Sequence, residues 1–157
     1  MFSMDKGPTN AKRNTVKFGL ESYAEPMLYT QKTRTAEIRL NSNGIIHAVI
    51  TIPSAVLTLR DAEENIMSMR RMAPEGHACI LADIRNVRYI ERPARVHIAS
   101  DESQSLMERL AILVDSPLTK LIGNLIIAFS TAKFPVRVFT SKYDAESWLS
   151  SALTLSP

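Results

Sequence analysis

The stretch LAILVDSPLTKLIGNLIIAF, residues 110–129, decides the fold class. Residues 110–114 form a continuous apolar run, as expected of a strand that is covered on both faces of a parallel sheet. Ser116 then offers a hydroxyl N-cap, and Pro117 suits the first helical position. The apolar residues that follow recur at helical spacing and predict one buried stripe: Leu118, Leu121, Ile122, Leu125, Ile126 and Phe129.

Strands and helices alternate on both sides of this stretch. Residues 36–40 and 45–52, joined by an Asn- and Gly-containing turn, predict a β-hairpin. Further strands are predicted at 77–82, 111–114 and 136–139, with a basic loop at 84–92. Further helices are predicted at 59–72, where Thr58 and Asp61 form a variant of the capping box, from Pro93 to about 109 with a break near 100–102, and after Ser141, which with Asp144 caps the last helix. The order β-β-α-β-α-β-α-β-α predicts an α/β fold. Its mainly parallel five-stranded sheet has one antiparallel edge strand and helices packed on it.

Length and composition predict one soluble globular domain. The chain has 157 residues, of which 45% are apolar and 22% charged. The longest apolar runs have five residues, whereas a membrane span needs about 20, so we expect no integral membrane insertion. Residues 1–10 lack the apolar stretch of a secretory signal, which favours a cytoplasmic protein. We expect residues 1–33 to form an N-terminal tail, partly disordered or docked, and residues 34–155 to form the domain.

The net positive charge of the chain comes from its first 36 residues. Residues 1–36 carry six Lys and Arg against three acids, and residues 37–157 carry 13 of each sign, so the net charge of +3 lies in the first segment. Binding to phosphates along nucleic acid needs several clustered cations. We therefore expect no nucleic-acid partner.

Four stretches carry a resemblance to a known group of proteins: residues 43–66, 79–95, 110–129 and 134–149. In this order they resemble the sulfate-transporter and anti-sigma-factor-antagonist (STAS) fold, and more closely the small uncharacterised bacterial proteins called STAS/SEC14-like or SpoIIAA-like. The resemblance covers most of residues 37–150 and implies the SpoIIAA/STAS-like fold. It implies no settled activity.

Better-known relatives in this group bind a partner protein and are switched by phosphorylation of a serine after the third strand. The corresponding stretch here, YIERP at residues 89–93, has Tyr89 but no serine. The resemblance therefore implies a non-enzymatic protein-interaction module of unknown specific role that lacks the phosphorylatable serine. We expect a protein partner or self-association as a homodimer.

The candidate site lies where the carboxyl ends of the buried strands are expected, because ligands of parallel sheets gather there. Its arginines follow the strand at 77–82, and Ser116 follows the next strand. The candidate anion- or partner-binding residues are Asp83, Arg85, Arg88, Arg92, Arg95, Asp115, Ser116 and Asn124. Alternatively, Asp83, Glu91 and Asp115 neutralise the arginines in ordinary ion pairs. Asn124 interrupts the apolar stripe, and either bonds a neighbouring loop or faces a cavity or subunit interface.

Catalytic, metal and cofactor sites are not expected. His47, His77 and His97 lie on different elements, and Cys79 lies inside an apolar strand. The alternative function is a small-molecule or lipid-binding SEC14-like domain that takes a small anionic or apolar ligand. It requires a cavity of roughly 300 Å³ or more between the helix at 117–129 and the sheet.

Overall fold

Eight strands and five helices alternate along residues 27–155, the part of the chain that the structure, a computed structural model, describes. The strands are β1 Met27–Lys32, β2 Ala36–Asn41, β3 Ile45–Ile50, β4 Ala55–Leu57, β5 Ala78–Asp83, β6 Val87–Ile90, β7 Met107–Leu113 and β8 Val136–Phe139. The helices are α1 Leu59–Met72, α2 Arg92–Ile98, α3 Asp101–Gln104, α4 Lys120–Ala128 and α5 Lys142–Leu155. The first 26 residues of the expected tail lie outside the described residues.

A six-stranded sheet in the order β1-β2-β3-β5-β7-β8 confirms the predicted α/β fold class. The strands β3, β5, β7 and β8 are parallel, and β1, β2 and β3 are joined antiparallel. The predicted hairpin is β2–β3. The sheet has one strand more than the predicted five, because residues 27–32 of the expected tail form β1. Residues 28–30 are all exposed, so β1 shows no alternation of buried and exposed residues to predict it.

A small second sheet is an addition that the sequence did not predict. In it β4 pairs with β6 in parallel, and β6 lies within the segment that was predicted as a basic loop. Strands of three and four residues are too short for a period of two to stand out. The main consequence of this pairing is that it fixes residues 87–90 directly before α2.

The stretch between α2 and β7 departs from the prediction. The break near residue 100 is confirmed, but α3 ends at Gln104, and β7 begins at Met107 inside the predicted helix. Pairing between Ala78 of β5 and Met107 extends the parallel ladder there. Tertiary pairing thus overrides a weak local helix preference.

Helices cover the two faces of the main sheet unequally. One face carries Ile38, Ile46, Ile80 and Ile112 in the large core cluster, which also includes buried residues of α1, α2 and α4. On the other face, Ile45, Cys79, Leu81, Ala111 and Leu113 pack with Ala145, Leu149 and Ala152 of α5. Among the described helices, α5 is the one whose side chains form this second cluster.

The start of α1 is fixed by the predicted capping box. The backbone N–H of Asp61 donates to Thr58 Oγ1 at 3.3 Å, and the backbone N–H of Thr58 donates to Asp61 Oδ2 at 2.9 Å. Arg34 also donates two hydrogen bonds to the Asp61 carboxylate, at 2.7 and 2.5 Å. Burial alone would raise the pKa of Asp61, but the bonds from Arg34 and Thr58 outweigh it and lower the pKa.

We expect Thr58→Ala to lower the free energy of unfolding by about 1 kcal/mol, because a helix N–H then loses its acceptor. Thr58→Ser keeps the hydroxyl and should retain most of that energy. Urea unfolding of both variants measures the difference. An equal loss in the two would show that the hydroxyl does not cap the helix.

Candidate partner-binding surface

Arg85 is held by Asp83 at the carboxyl end of β5. Its Nε donates to Asp83 Oδ1 at 2.9 Å, and its Nη2 donates to Oδ2 at 2.7 Å. These hydrogen bonds raise the pKa of Arg85. Arg85 and Asp83 thus form the ordinary ion pair that the sequence analysis gave as the alternative to an anion-binding site. Arg85 is therefore a poor candidate for binding an external anion.

The other three arginines differ in what they contact. Arg95 donates to the carbonyl oxygen of Ile90 at 2.5 Å, and its guanidinium lies 5.8 Å from the centre of the Tyr89 ring. Arg88 and Arg92 are exposed, and neither forms an ion pair with any residue between 27 and 155. These two guanidiniums are therefore open to a partner.

The prediction that Ser116 caps a helix is wrong. Thr119 is the N-cap of α4, and its Oγ1 accepts from the backbone N–H of Ile122 at 3.2 Å. Ser116 Oγ instead accepts from the N–H of Leu118 at 3.4 Å, in an exposed segment that also contains Asp115. The first buried position of α4, Ile122, follows this cap by three residues. Asp115 and Ser116 thus have no helix N-terminus beside them to bind an anion.

Three predicted site residues come together in an open groove between α2 and α4. This groove, here called the α2–α4 groove, has a volume of about 580 Å³. Its main lining residues are Arg92, Arg95 and Val96 on α2, and Asn124, Ile127 and Ala128 on α4. Asn124 makes no side-chain hydrogen bond with the described residues, so it faces a cavity and does not bond a loop.

A second open groove lies on the other side of α2. This α1–α2 groove has a volume of about 590 Å³ and is lined by Leu59 and Glu63 of α1 and by Pro93 and His97 of α2. Arg92 and Val96 line both grooves. The helix α2 therefore forms a ridge that carries a cation and an apolar side chain between two depressions.

Exposed apolar side chains near this ridge were not predicted from the sequence. Val96 is 62% exposed, Ile127 72% and Leu118 93%. Leu118 and Ile126 were assigned to the buried stripe, and this was wrong, because α4 begins after Leu118 and Ile126 points outward with 59% exposure. Six of the nine residues in the sequence KLIGNLIIA of α4 are apolar, which already indicates more apolar surface than one stripe can bury.

The imidazole of His47 is buried on β3 beneath α5. Its Nδ1 lies 3.8 Å from Glu146 Oε1, and its Nε2 has no hydrogen-bond partner among the described residues. Burial, together with the nearby charges of Lys142 and Arg39, lowers the pKa of His47 to about 4. The sequence marked His47 only as an improbable metal ligand. Its spacing of two from Ile45 in a strand covered on both faces would have predicted burial.

The remaining candidate for reactive chemistry, the thiol of Cys79, is part of the core. Cys79 is buried, as predicted, and burial raises the pKa of its thiol to about 11. No group of three or more His, Cys, Asp or Glu residues within 27–155 is placed to hold a metal ion. In the same part of the chain, no helix is long and apolar enough to cross a lipid bilayer.

An apolar cavity lies between the sheet and the helices α1 and α4. Its volume is about 100 Å³, and Asn65 is the single polar residue in a lining that includes Ile80, Met69 and Leu125. This is about a third of the roughly 300 Å³ that a typical ligand site needs.

The family profile for a domain of unknown function, DUF7793, matches residues 38–153. The chain belongs to this family. The DUF7793 domain is similar in fold to the crystal structure of an uncharacterised protein of the DUF3478 family with a SpoIIAA-like fold from Shewanella loihica PV-4. That likeness has a TM-score of 0.51 and 16% sequence identity, and covers 79% of this chain and 92% of the other. It confirms the predicted SpoIIAA-like resemblance as a fold. No curated protein matches the sequence significantly.

Proposed function

We propose that this DUF7793 domain is a non-enzymatic protein-interaction module that holds a partner protein on the α2 ridge and the two grooves beside it. The observation that carries the proposal is the position of Arg92 and Val96. Both line the two grooves, and Arg92 forms no ion pair with any described residue.

The chemistry of this surface suits a protein partner. Protein interfaces combine apolar contact area with arginines, whose planar guanidinium binds carboxylates through two parallel hydrogen bonds. Val96 and Ile127 supply the apolar area, and Arg92 supplies a free guanidinium. A second exposed guanidinium, that of Arg88, lies on β6 just before α2 and outside both groove linings. Burying an exposed apolar side chain of this size stabilises a complex by about 1.5–3 kcal/mol before ordering costs.

The placement of the groups with shifted pKa values supports a non-enzymatic role. A catalytic base or nucleophile needs contact with substrate in a cleft. Cys79 and His47 are both buried between the sheet and α5, and neither lines either groove. We do not carry over the serine switch of the better-known relatives, because residues 89–93 contain no serine.

The alternative function, a small-molecule or lipid-binding domain, is favoured by the apolar lining of the cavity between the sheet and the helices α1 and α4. At about 100 Å³ the cavity has room for a few carbon atoms only. A lipid chain would require α4 to move away from the sheet. The interaction module needs no such rearrangement and is the better-supported proposal.

Reversing two charges tests the interaction module. We expect the double variant Arg88→Glu and Arg92→Glu to abolish partner capture, because both exposed guanidiniums would then repel partner carboxylates. The tagged full-length chain would be recovered from cells that express it naturally, and co-isolated proteins quantified by mass spectrometry. The melting temperature should stay nearly unchanged, since neither side chain has an ion-pair partner among residues 27–155.

A matched control reverses two exposed cations outside both grooves, Arg71 and Lys133. This control changes the net charge by the same amount and should leave capture intact. Equal capture by the wild type and by both double variants would contradict the proposed surface.

A further inference from the structure

The outward side of α4 combines exposed apolar side chains, a side-chain amide without a bonding partner and an open glycine position. Ile126 and Ile127 are 59% and 72% exposed. Asn124 is the middle residue of the nine in α4, and its side-chain amide forms no hydrogen bond with the described residues. Gly123 is exposed, and nothing lies within 4 Å of the position that a Cβ atom would take there. This side of the helix therefore offers apolar surface, an unpaired amide and room for close approach.

The charges of α4 oppose its own dipole. A helix is stabilised by acids in its first turn and bases in its last. The first turn of α4 has no acid and instead begins with Lys120, and the last turn has no base. The nearest acid along the chain, Asp115, forms no ion pair with Lys120. A second helix laid antiparallel would place its C-terminal carbonyl oxygens beside Lys120.

We propose that the α2–α4 groove is occupied by α4 of a second copy of this chain, packed antiparallel about a twofold axis near Asn124. This inference rests on the proposed function and names the occupant of one of its two grooves. Because α4 has no Asp or Glu, Arg92 stays available to a partner's carboxylate on the side of the α1–α2 groove, which it also lines. Because residue 124 is the midpoint of α4, the symmetry places the two Asn124 side chains against each other. It also places Lys120 of each copy beside Ala128 of the other.

Each element of this pairing is self-complementary. An asparagine amide both donates and accepts, so two Asn124 side chains form a reciprocal pair and fix the register of the helices. The open space at Gly123 allows the backbones to approach closely, and Ile127 becomes buried against the second helix. Lys120 meets the negative end of the partner helix dipole. An unrelated acidic partner could satisfy Lys120, but it would leave the placement of Asn124 at the midpoint of α4 unexplained.

Cross-linking at the proposed axis tests the arrangement in the full chain. The variant Asn124→Cys would be treated with a short bis-maleimide, and covalent dimers measured on a denaturing gel. We expect at least a tenfold higher yield than from Lys133→Cys, which places a more exposed thiol outside the groove, so that accessibility alone would favour the control. The native Cys79 is 1% exposed and gives no competing reaction. A yield from Asn124→Cys no higher than from Lys133→Cys would overturn the proposal.

Sedimentation equilibrium gives an independent test without new cysteines. The wild type should dimerise as its concentration rises, and Ile127→Glu should remain monomeric with an unchanged melting temperature, since Ile127 is exposed in the single chain. A monomeric wild type at up to about 100 μM, above the dissociation constant of even a weak interface, would overturn self-association. Loss of capture in the Arg88 and Arg92 variant would then still support the proposed function, so the two proposals fail separately.

Discussion

Leu149→Ala should lower the free energy of unfolding by about 3 kcal/mol, the usual cost of removing a fully buried leucine side chain. Leu149 is 0% exposed and packs with Ile45, Leu81 and Leu113 on the second face of the sheet. Among the described helices, α5 alone contributes side chains to that cluster, so no neighbouring helix can close the cavity that the substitution leaves. Urea unfolding measures the loss directly.

Tyr143→Ala on the same helix is the matched control. Tyr143 is 78% exposed, so its truncation should change the free energy of unfolding by no more than about 0.5 kcal/mol. If Leu149→Ala were no more destabilising than Tyr143→Ala, α5 would not cover the sheet as described.

Acid should destabilise the protein through His47. The pKa of the buried imidazole is about 4, against 6.5 ordinarily, so the unfolded chain binds a proton more readily than the folded one. The neutral imidazole therefore contributes stability that is fully present above pH 6.5 and is lost as the pH falls from 6.5 to about 4. The full loss amounts to about 3 kcal/mol. The charged groups that face His47 are Lys142 and Glu146 of α5, Arg39 of β2 and Asp83 of β5.

His47→Gln removes the titrating group and should flatten the stability profile between pH 6.5 and 4. Unfolding by urea at several pH values would compare it with the wild type and with His77→Gln, in which an exposed histidine is replaced. The wild type and His77→Gln should lose stability in parallel. The same loss in His47→Gln would show that other groups account for the acid sensitivity.

The sequence predicted those elements whose signals are local. Thr58 and Asp61 form the predicted capping box, and Ser141 Oγ accepts from the backbone N–H of Asp144 at the start of α5, as predicted. The turn before Ile45 is also where the prediction placed it, with Gly44 at a φ of +82°. In each case a few neighbouring residues carry both the hydrogen-bonding groups and the backbone preference that fix the element.

Features that depend on distant residues were missed or misplaced. The edge strand β1 has no buried–exposed alternation of its own, and forms because it pairs with β2. At the start of α4, Thr119 is the cap in place of the predicted Ser116, and the first buried position of the helix is Ile122. The predicted site residues do not all lie together, for a similar reason. Asp83 forms an ion pair with Arg85. Arg92, Arg95 and Asn124 come together only because α2 and α4 pack against each other.

A native mass spectrum of the purified full-length chain tests most directly whether this DUF7793 domain binds proteins and not a small molecule. We predict an assembly of about 35 kDa, twice the 17.5 kDa of one chain, with no additional mass. A monomer carrying a mass excess that disappears on denaturation would contradict the interaction module and favour a bound ligand.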